Sequence, residues 1–538
     1  MSRYKVTGGA AVVRALEANG VDVVFGIPGT HNLEVYRYLT GSSIRHVTPR
    51  HEQGAGYAAD GYTRSTGRPG VAITTSGPGL TNICTAAATA YADSIPMLVI
   101  SPGVPRGLER ADVGWLHEVK DQQAHMDNLL ERSVRVGSTD QAAAAINEAF
   151  ARWRVERPRP VHIEIPLDVL EEEWAGADGF ELPIPEVAAP QPSEQAVTEA
   201  VRLLGAAVTP VVVLGGGTRH TATKACRLVE LLDAPVLTTV NGKGVVPESH
   251  PLSLGASIRL EPAQRLVAEA DVALLVGTEL GDSDLWGGSI TPGGAVIRVD
   301  IDAGQLDKNL PATVRLHGDS ATVLTLLTEA LEGDRTASHA DGASRAAAAR
   351  AEIHRAALVD GEPWREVQEV LRSVLPADVI VAGDSSQVTY YGTVHFWPME
   401  APGQFLYPLG YATLGYGLPA GIGAKLGNPE RAVVVLVGDG AFMFTASELV
   451  TAAEQRLPIP VVVMNNHGFG EIADQMDGRG IARLAVDLTT PDFAALGRAC
   501  GAHGERLSGL DGLGQAVQRA LRADGPTVID VDVSTRGA

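Results

Sequence analysis

Short apolar runs rich in Val, Ile and Leu alternate with longer stretches of helical periodicity along almost the whole chain. The runs read VDVVFGIPG, GVAITTSGPG, PMLVISPG, PVVVLGGG, ADVALLVGTEL, GAVIRVDID, ADVIVAGD, RAVVVLVGDG, IPVVVMNN and PTVIDVDV. Apolar residues fall at successive positions rather than alternate ones, so both faces of each predicted strand are covered. Such strands, separated by helix-length segments, predict parallel sheets with helices on their faces, an α/β fold.

Two stretches break the pattern. Residues 170–195, EEEWAGADGFELPIPEVAAPQPSE at their core, are rich in Pro, Glu and Ala, and residues 333–360 are polar and then Ala-rich, which suits a loop followed by a connecting helix. They divide the chain into three α/β units near 1–170, 190–335 and 360–538.

Several strands run straight into glycine-rich turns: GIPGT, TSGPG, LGGGT and VGDGA. In open parallel sheets ligands sit beyond the carboxyl ends of the strands, where such turns let the backbone approach a phosphate. LGGGT lacks the full dinucleotide spacing and is read as tight-turn packing. Asp439 and Asn466 are more informative, because each stands at the mouth of a predicted strand on the same sheet edge. A carboxylate, an amide oxygen and a nearby carbonyl form a hard-oxygen set suited to Mg²⁺ or Ca²⁺. The same residues also suit two turns that merely finish strands.

Composition removes other classes. The 538 residues exceed one core, and the net charge of −21 with no dense Lys/Arg run argues against nucleic-acid or anionic-membrane partners. Cys84, Cys226 and Cys500 match no metal or redox spacing and read as buried free thiols. No signal peptide or spanning segment is visible, so the expected location is the cytoplasm.

Gly438-Asp439-Gly440, followed by Asn465-Asn466, resembles the diphosphate-anchoring motif of thiamine diphosphate enzymes. Upstream, RHEQGAGYAADGYTRSTGRPGVAITTSGPGLTNICTAAATAYADSIPMLVISP resembles the pyrimidine-binding domain of the same superfamily, in the branch of the acetohydroxyacid synthases, and GYATLGYGLPAGIGAK resembles the segment that bends the cofactor. The resemblance covers nearly the whole chain and implies three doubly wound parallel-sheet domains: pyrimidine-binding, central and diphosphate-binding. It implies thiamine diphosphate and Mg²⁺ as cofactors, with Asp439, Asn466 and the Gly468 carbonyl as metal ligands. Glu52 would face N1′ of the aminopyrimidine. Leu414 would be the wedge under the two rings, and the Ala412 carbonyl would accept from the 4′-amino group. Ser385, Ser386, Gln387, Gly438, Gly440, Ala441 and Phe469 would contact the cofactor. In this family the cofactor lies between one subunit's first domain and another's third, so a homodimer or homotetramer is implied.

The cofactor implies a 2-oxo acid substrate, with the thiazolium accepting the electron pair released with CO₂. The chain departs from the acetohydroxyacid synthases: Leu116-His117-Glu118 replaces their Phe-Gln-Glu loop, and the central segment lacks their FAD signature, so FAD is not expected. Thr30 matches the small hydroxyl residue of benzoylformate decarboxylase, whose active-site histidine falls on Thr75. The best match is the branch containing 5-guanidino-2-oxopentanoate decarboxylase, through GIPGTHNLEVYRYL, the His-Glu loop and GFGEI. A guanidinium substrate needs carboxylate partners, and Glu118, Glu279, Asp282, Asp284, Glu471 and Asp474 are candidates, with Glu118 and Glu471 favoured. His117 carries an imidazole, the side-chain type suited to proton transfer near neutral pH, which fits protonating the reaction's product side, and Thr75 stands with it. An acetolactate synthase-type carboligase and a noncatalytic homologue are the alternatives.

Overall fold

The computed structural model describes residues 5–175, 183–333 and 341–533. It contains three all-parallel sheets. The first has six strands: β1 (Val23–Gly26), β2 (Arg45–Val47), β3 (Gly70–Ile73), β4 (Met97–Gly103), β5 (Arg132–Arg135) and β6 (Val161–Pro166), in the order β2-β1-β3-β4-β6-β5. The second, of five, comprises β7 (Val211–Leu214), β8 (Val236–Thr238), β9 (Val272–Val276), β10 (Ala295–Asp300) and β11 (Val314–His317), in the order β11-β10-β9-β7-β8. The third, of six, comprises β12 (Ile380–Gly383), β13 (Phe405–Leu406), β14 (Val433–Gly438), β15 (Pro460–Asn465), β16 (His503–Ser508) and β17 (Thr527–Asp532), in the order β13-β12-β14-β15-β17-β16.

Burial on both faces is what makes these strands parallel. β7 and β9 are buried at every residue, and β14 and β15 are buried at all but Gly438. Helices with one apolar stripe cover them: in Ala222–Leu232 the buried residues Ala225, Leu228, Val229 and Leu232 recur at three and four positions, one helical face turned to the sheet.

By compactness the chain divides into two units. One comprises Met1–Ala188, Leu418–Asn428 and Thr445–Leu457, and the other comprises Ala189–Gly417, Pro429–Phe444 and Pro458–Ala538. The loop expected at the start of the second linker lies outside the described residues; its connecting helix runs Gly342–Val374. The three cysteines are free, but each is half-buried, a correction to the fully buried thiols expected: Cys84, for one, reaches outward to the exposed His125, with Sγ 3.2 Å from its Nε2.

Strand order reverses between β1 and β3, between β7 and β9, and between β12 and β14, and ligands of open parallel sheets bind at such points. In the second sheet two glycine turns of the chain approach each other at this point. A methyl group at Gly215 would lie 2.2 Å from the Gly277 carbonyl oxygen, and one at Gly217 would lie 3.0 Å from Gly277 Cα. The LGGGT turn is therefore a close backbone contact, as its spacing suggested.

Candidate active site

In the first unit the turns that follow β1 and β3 flank the switch point and carry most of the residues singled out there. Glu52 begins the helix Glu52–Thr66 directly after β2 and is 8% exposed. Its Oε2 accepts from Asn82 Nδ2 at 2.9 Å. Gly79 lies between Glu52 and Thr75: a methyl group there would come 3.2 Å from Glu52 Oε1 and 2.8 Å from Thr75 Cγ2. Gly29 packs on Thr75 from the β1 turn, with Thr30 exposed beside it.

His117 joins the same cluster. A methyl at Gly77 would lie 2.3 Å from the His117 carbonyl oxygen, and Gly77 has a φ of 60° that a side chain would strain. His117 itself takes the left-handed conformation, φ 63°, and its Nδ1 is buried without a hydrogen-bond partner, as is Thr75 Oγ1. Strained backbone and orphaned polar atoms collect at functional sites more than elsewhere. A second histidine, part of no motif read above, stands beside it: the His31 ring lies edge-on to His117 at 5.0 Å, and its Nδ1 is 2.6 Å from Ser76 Oγ. Burial, then the nearby His117, lowers the His31 pKa.

Glu118 is already engaged. Its carboxylate accepts from the backbone N–H groups of Gly114 at 2.7 Å, Trp115 at 3.0 Å and Val113 at 3.4 Å, so it shapes the loop that carries His117.

Glu448, also passed over in the sequence, holds the start of the Glu52 helix. Its carboxylate is 1% exposed and accepts from the backbone N–H groups of Arg50 at 3.0 Å and His51 at 3.1 Å and from Thr451 Oγ1 at 2.7 Å. Burial raises its pKa, opposed by these donors. Glu448→Ala removes the acceptor shared by these two N–H groups, each hydrogen bond contributing about 0.5–1.5 kcal/mol. Thermal unfolding is expected to shift down accordingly and kcat to fall with it, since Glu52 is the next residue; an unchanged melting profile would remove Glu448 from this role.

In the second unit the turns after β12, β14 and β15 converge. Asp439 begins the short helix Asp439–Met443, is 1% exposed, and accepts at Oδ2 from the Gly468 N–H at 3.0 Å. Burial pushes its carboxyl up, and the N–H groups of Gly440 and Gly468 pull it back. The Asn466 amide places one terminal atom 2.9 Å from Asp439 Oδ1 and 2.9 Å from the Gly468 carbonyl oxygen. Held as nitrogen, that atom donates to both; held as oxygen, it completes a set of three converging oxygens. An octahedral ion with bonds of about 2.1 Å spaces neighbouring ligands by about 3.0 Å, so this set fits Mg²⁺. Among the described residues no cluster of three His, Cys, Asp or Glu offers an alternative.

Around that set stand the other residues expected at the cofactor. The Gly438 N–H donates to Ser386 Oγ at 3.0 Å, and Ser385 Oγ is buried without a partner. Gly440 faces the Phe469 ring, 2.7 Å from where a methyl would sit, with Ala441 buried behind it. Gln387 points elsewhere, its Nε2 donating to Asp474 Oδ2 at 2.9 Å and Glu471 Oε2 at 3.3 Å. Leu414, half-buried, and the exposed Ala412, at φ 49°, precede the helix Gly417–Gly427. Asp384, not anticipated, ties this loop to β12 by accepting from the N–H groups of Gly417 at 2.8 Å and Gly415 at 3.1 Å. Burial raises its carboxyl to about 7 against those donors.

Three family models match the chain, one to each sheet-bearing region. The model "Thiamine pyrophosphate enzyme, N-terminal TPP binding domain" matches residues 6–126, the central-domain model residues 197–327, and the C-terminal TPP binding domain model residues 384–531. The chain is 43% identical over 531 residues to the "Probable 2-ketoarginine decarboxylase AruI" of Pseudomonas aeruginosa, covering 98% of this chain and 94% of that protein. It is 34% identical to the acetolactate synthase of Mycobacterium bovis, over 98% of this chain and 88% of that protein. It is 31% identical to a probable acetolactate synthase large subunit of Methanocaldococcus jannaschii, over 97% and 91%. In its three sheets, its glycine-bounded site turns and its matched domains, the chain belongs to the thiamine pyrophosphate enzyme family.

Proposed function

We propose that the protein is a thiamine diphosphate- and Mg²⁺-dependent decarboxylase that converts 5-guanidino-2-oxopentanoate, the 2-oxo acid of arginine, to the aldehyde one CO₂ shorter. The observation that carries the chemistry is the oxygen set of Asp439, Asn466 and Gly468, whose 2.9 Å spacings suit a divalent cation. The substrate side chain rests on the similarity to the 2-ketoarginine decarboxylase, which exceeds that to the acetolactate synthases.

When bound, the cofactor supplies an electron sink for the bond to CO₂. Asp439, Asn466 and the Gly468 carbonyl hold the cation, and Ser385, Ser386, Gly438, Gly440, Ala441 and Phe469 line the diphosphate, with Gln387 at the edge. Leu414 and the Ala412 carbonyl orient the rings. Glu52 holds a proton against the pyrimidine ring nitrogen. His117, beside Thr75 and Thr30, hands a proton to the carbon that loses CO₂, and Glu118 keeps its loop in shape. We further infer a cytoplasmic homodimer or homotetramer with active sites at subunit interfaces. Among the described residues no helix is long and apolar enough to cross a membrane.

The test supplies the holoenzyme with 5-guanidino-2-oxopentanoate and, separately, with pyruvate, and follows CO₂ and products by mass spectrometry. The expected result is one aldehyde per CO₂ from the guanidino acid. The acetolactate synthase relatives keep a carboligase in view, and a condensed product from pyruvate, with the guanidino acid untouched, would replace the proposal with it.

A further inference from the structure

Glu471 follows Gly470 at the start of the helix Gly470–Gly478, and a methyl at Gly470 would lie 2.6 Å from Asn466 Nδ2. Its backbone therefore follows directly on the turn assigned to the cation. Oε2 accepts from the Tyr390 hydroxyl at 3.1 Å and from Gln387 Nε2 at 3.3 Å; Oε1 accepts from Gln475 Nε2 at 3.0 Å and from the Tyr391 hydroxyl at 3.3 Å.

The two tyrosines are adjacent in sequence, and adjacent residues of an α-helix point about 100° apart. Here they lie on a π-helical turn, Val388–Thr393, and both hydroxyls reach one carboxylate. Single π turns of this kind are frequent at functional sites. The tyrosine rings meet edge-on at 4.7 Å, and Trp286 stands 5.8 Å from Tyr390 and 6.3 Å from Tyr391, so three aromatic rings gather beside the carboxylate. Trp286 already carries a guanidinium, that of Arg259, 4.8 Å from its centroid.

Four neutral donors orient Glu471, yet among the described residues no cation pairs with it. With Arg259 standing over Tyr391 at 5.4 Å but making no ion pair with Glu471, a half-buried carboxylate beside aromatic rings is suited to a planar cation, which gains paired hydrogen bonds and cation–π contact together. The other acids considered from the sequence are differently placed. Glu118 caps its own loop, Glu279 pairs with Lys308 at 2.9 Å, and Asp284 accepts from the Gly281 N–H. Asp474 is exposed.

Resting on the decarboxylase reading above, we propose that Glu471 determines specificity by binding the guanidinium end of the substrate, and that Tyr390 and Tyr391 fix its carboxylate for that task. The guanidinium displaces the amides of Gln387 and Gln475. Gln387 keeps Asp474 as its partner, and the two phenols remain.

The experiment compares kcat/KM of the holoenzyme for 5-guanidino-2-oxopentanoate and for its neutral isostere 5-ureido-2-oxopentanoate, so each variant carries its own control. The wild type is expected to favour the guanidino acid by about thirtyfold or more, the scale on which a buried charge pair discriminates. In Glu471→Gln that preference collapses, through a raised KM for the guanidino acid. Tyr391→Phe, which retains the carboxylate but loosens it, narrows the preference. Equal use of both acids by the wild type overturns the proposal. So does a wild-type ratio in both variants, or loss of both substrates alike in Glu471→Gln with Tyr391→Phe unaffected. Failure of the decarboxylase reading is distinct: the wild type then releases CO₂ from neither acid.

Discussion

Asp439→Ala is expected to weaken Mg²⁺-dependent binding of thiamine diphosphate by on the order of a hundredfold or more and to take activity to background. The lower bound comes from metal sites in general, where loss of an outer-shell partner alone costs about 10–100-fold in affinity, and a direct ligand counts for more. Asp439 is the one charged member of the oxygen set, and it also accepts the Gly468 N–H that positions the carbonyl ligand. On the proposed reading, removing it takes away the charge that would neutralise the cation and loosens a second oxygen of the set. Asp439→Asn separates these effects, since the amide keeps an acceptor for Gly468 without the charge, and it should bind the cofactor between wild type and alanine. Calorimetric titration of thiamine diphosphate with and without Mg²⁺ gives the answer. If Asp439→Ala binds the cofactor with wild-type affinity and metal dependence, the cation lies elsewhere.

The oxygen set was legible in the sequence because its members follow central strands. Ten strands stood out as apolar runs, and each is an interior strand of its sheet. The strands that escaped notice are the six at sheet edges, β2, β5, β8, β11, β13 and β16, together with interior β6. An edge strand has one neighbour and partial cover, so Arg45-His46-Val47 or His503–Ser508 carries polar residues that erase the apolar run. β6 hides for another reason: it buries His162, held by Ser101 and Ser133 at 2.8 Å each, and Glu164, held by Arg135. Partners far apart in sequence satisfy those groups, and a linear reading has no access to them.

The same limit applied to the sites. Glu52, Asp439 and Asn466 carry their meaning in local motifs. His31, Asn82, Asp384 and Glu448 do not, because each acts through one or two contacts that only folding brings together: His31 with Ser76, Asn82 with Glu52, Asp384 with Gly415 and Gly417, Glu448 with Arg50 and His51. Among six candidate acids, Glu471 and Glu118 are favoured alike in the sequence. What separates it from Glu118 is how the neighbouring donors are arranged, backbone N–H groups of its own loop in one case and two phenols on a π turn in the other.

Glu52→Gln should leave the cofactor bound and stop most of the chemistry. One oxygen of Glu52 is tied to Asn82 at 2.9 Å, while the other lies 3.2 Å from where a methyl at Gly79 would sit. The amide of glutamine fills the same space and keeps an acceptor for Asn82, so the fold and the binding surface survive. It has no proton to exchange with the pyrimidine nitrogen. Removing a positioned acid of this kind costs about 10²–10⁴-fold in rate, and kcat is expected to fall by that factor with cofactor affinity altered only severalfold. The exchange of the bound cofactor's thiazolium C2 proton with D₂O, followed by NMR in quenched samples, should slow in parallel, because that step depends on the same proton. Glu52→Asp restores the acid but withdraws it by one methylene, and recovers part of the rate. If Glu52→Gln retains wild-type kcat and exchange, the buried carboxyl is a structural ligand of Asn82, and the proton must be handled by another group of the cluster, with His117 and His31 nearest in kind.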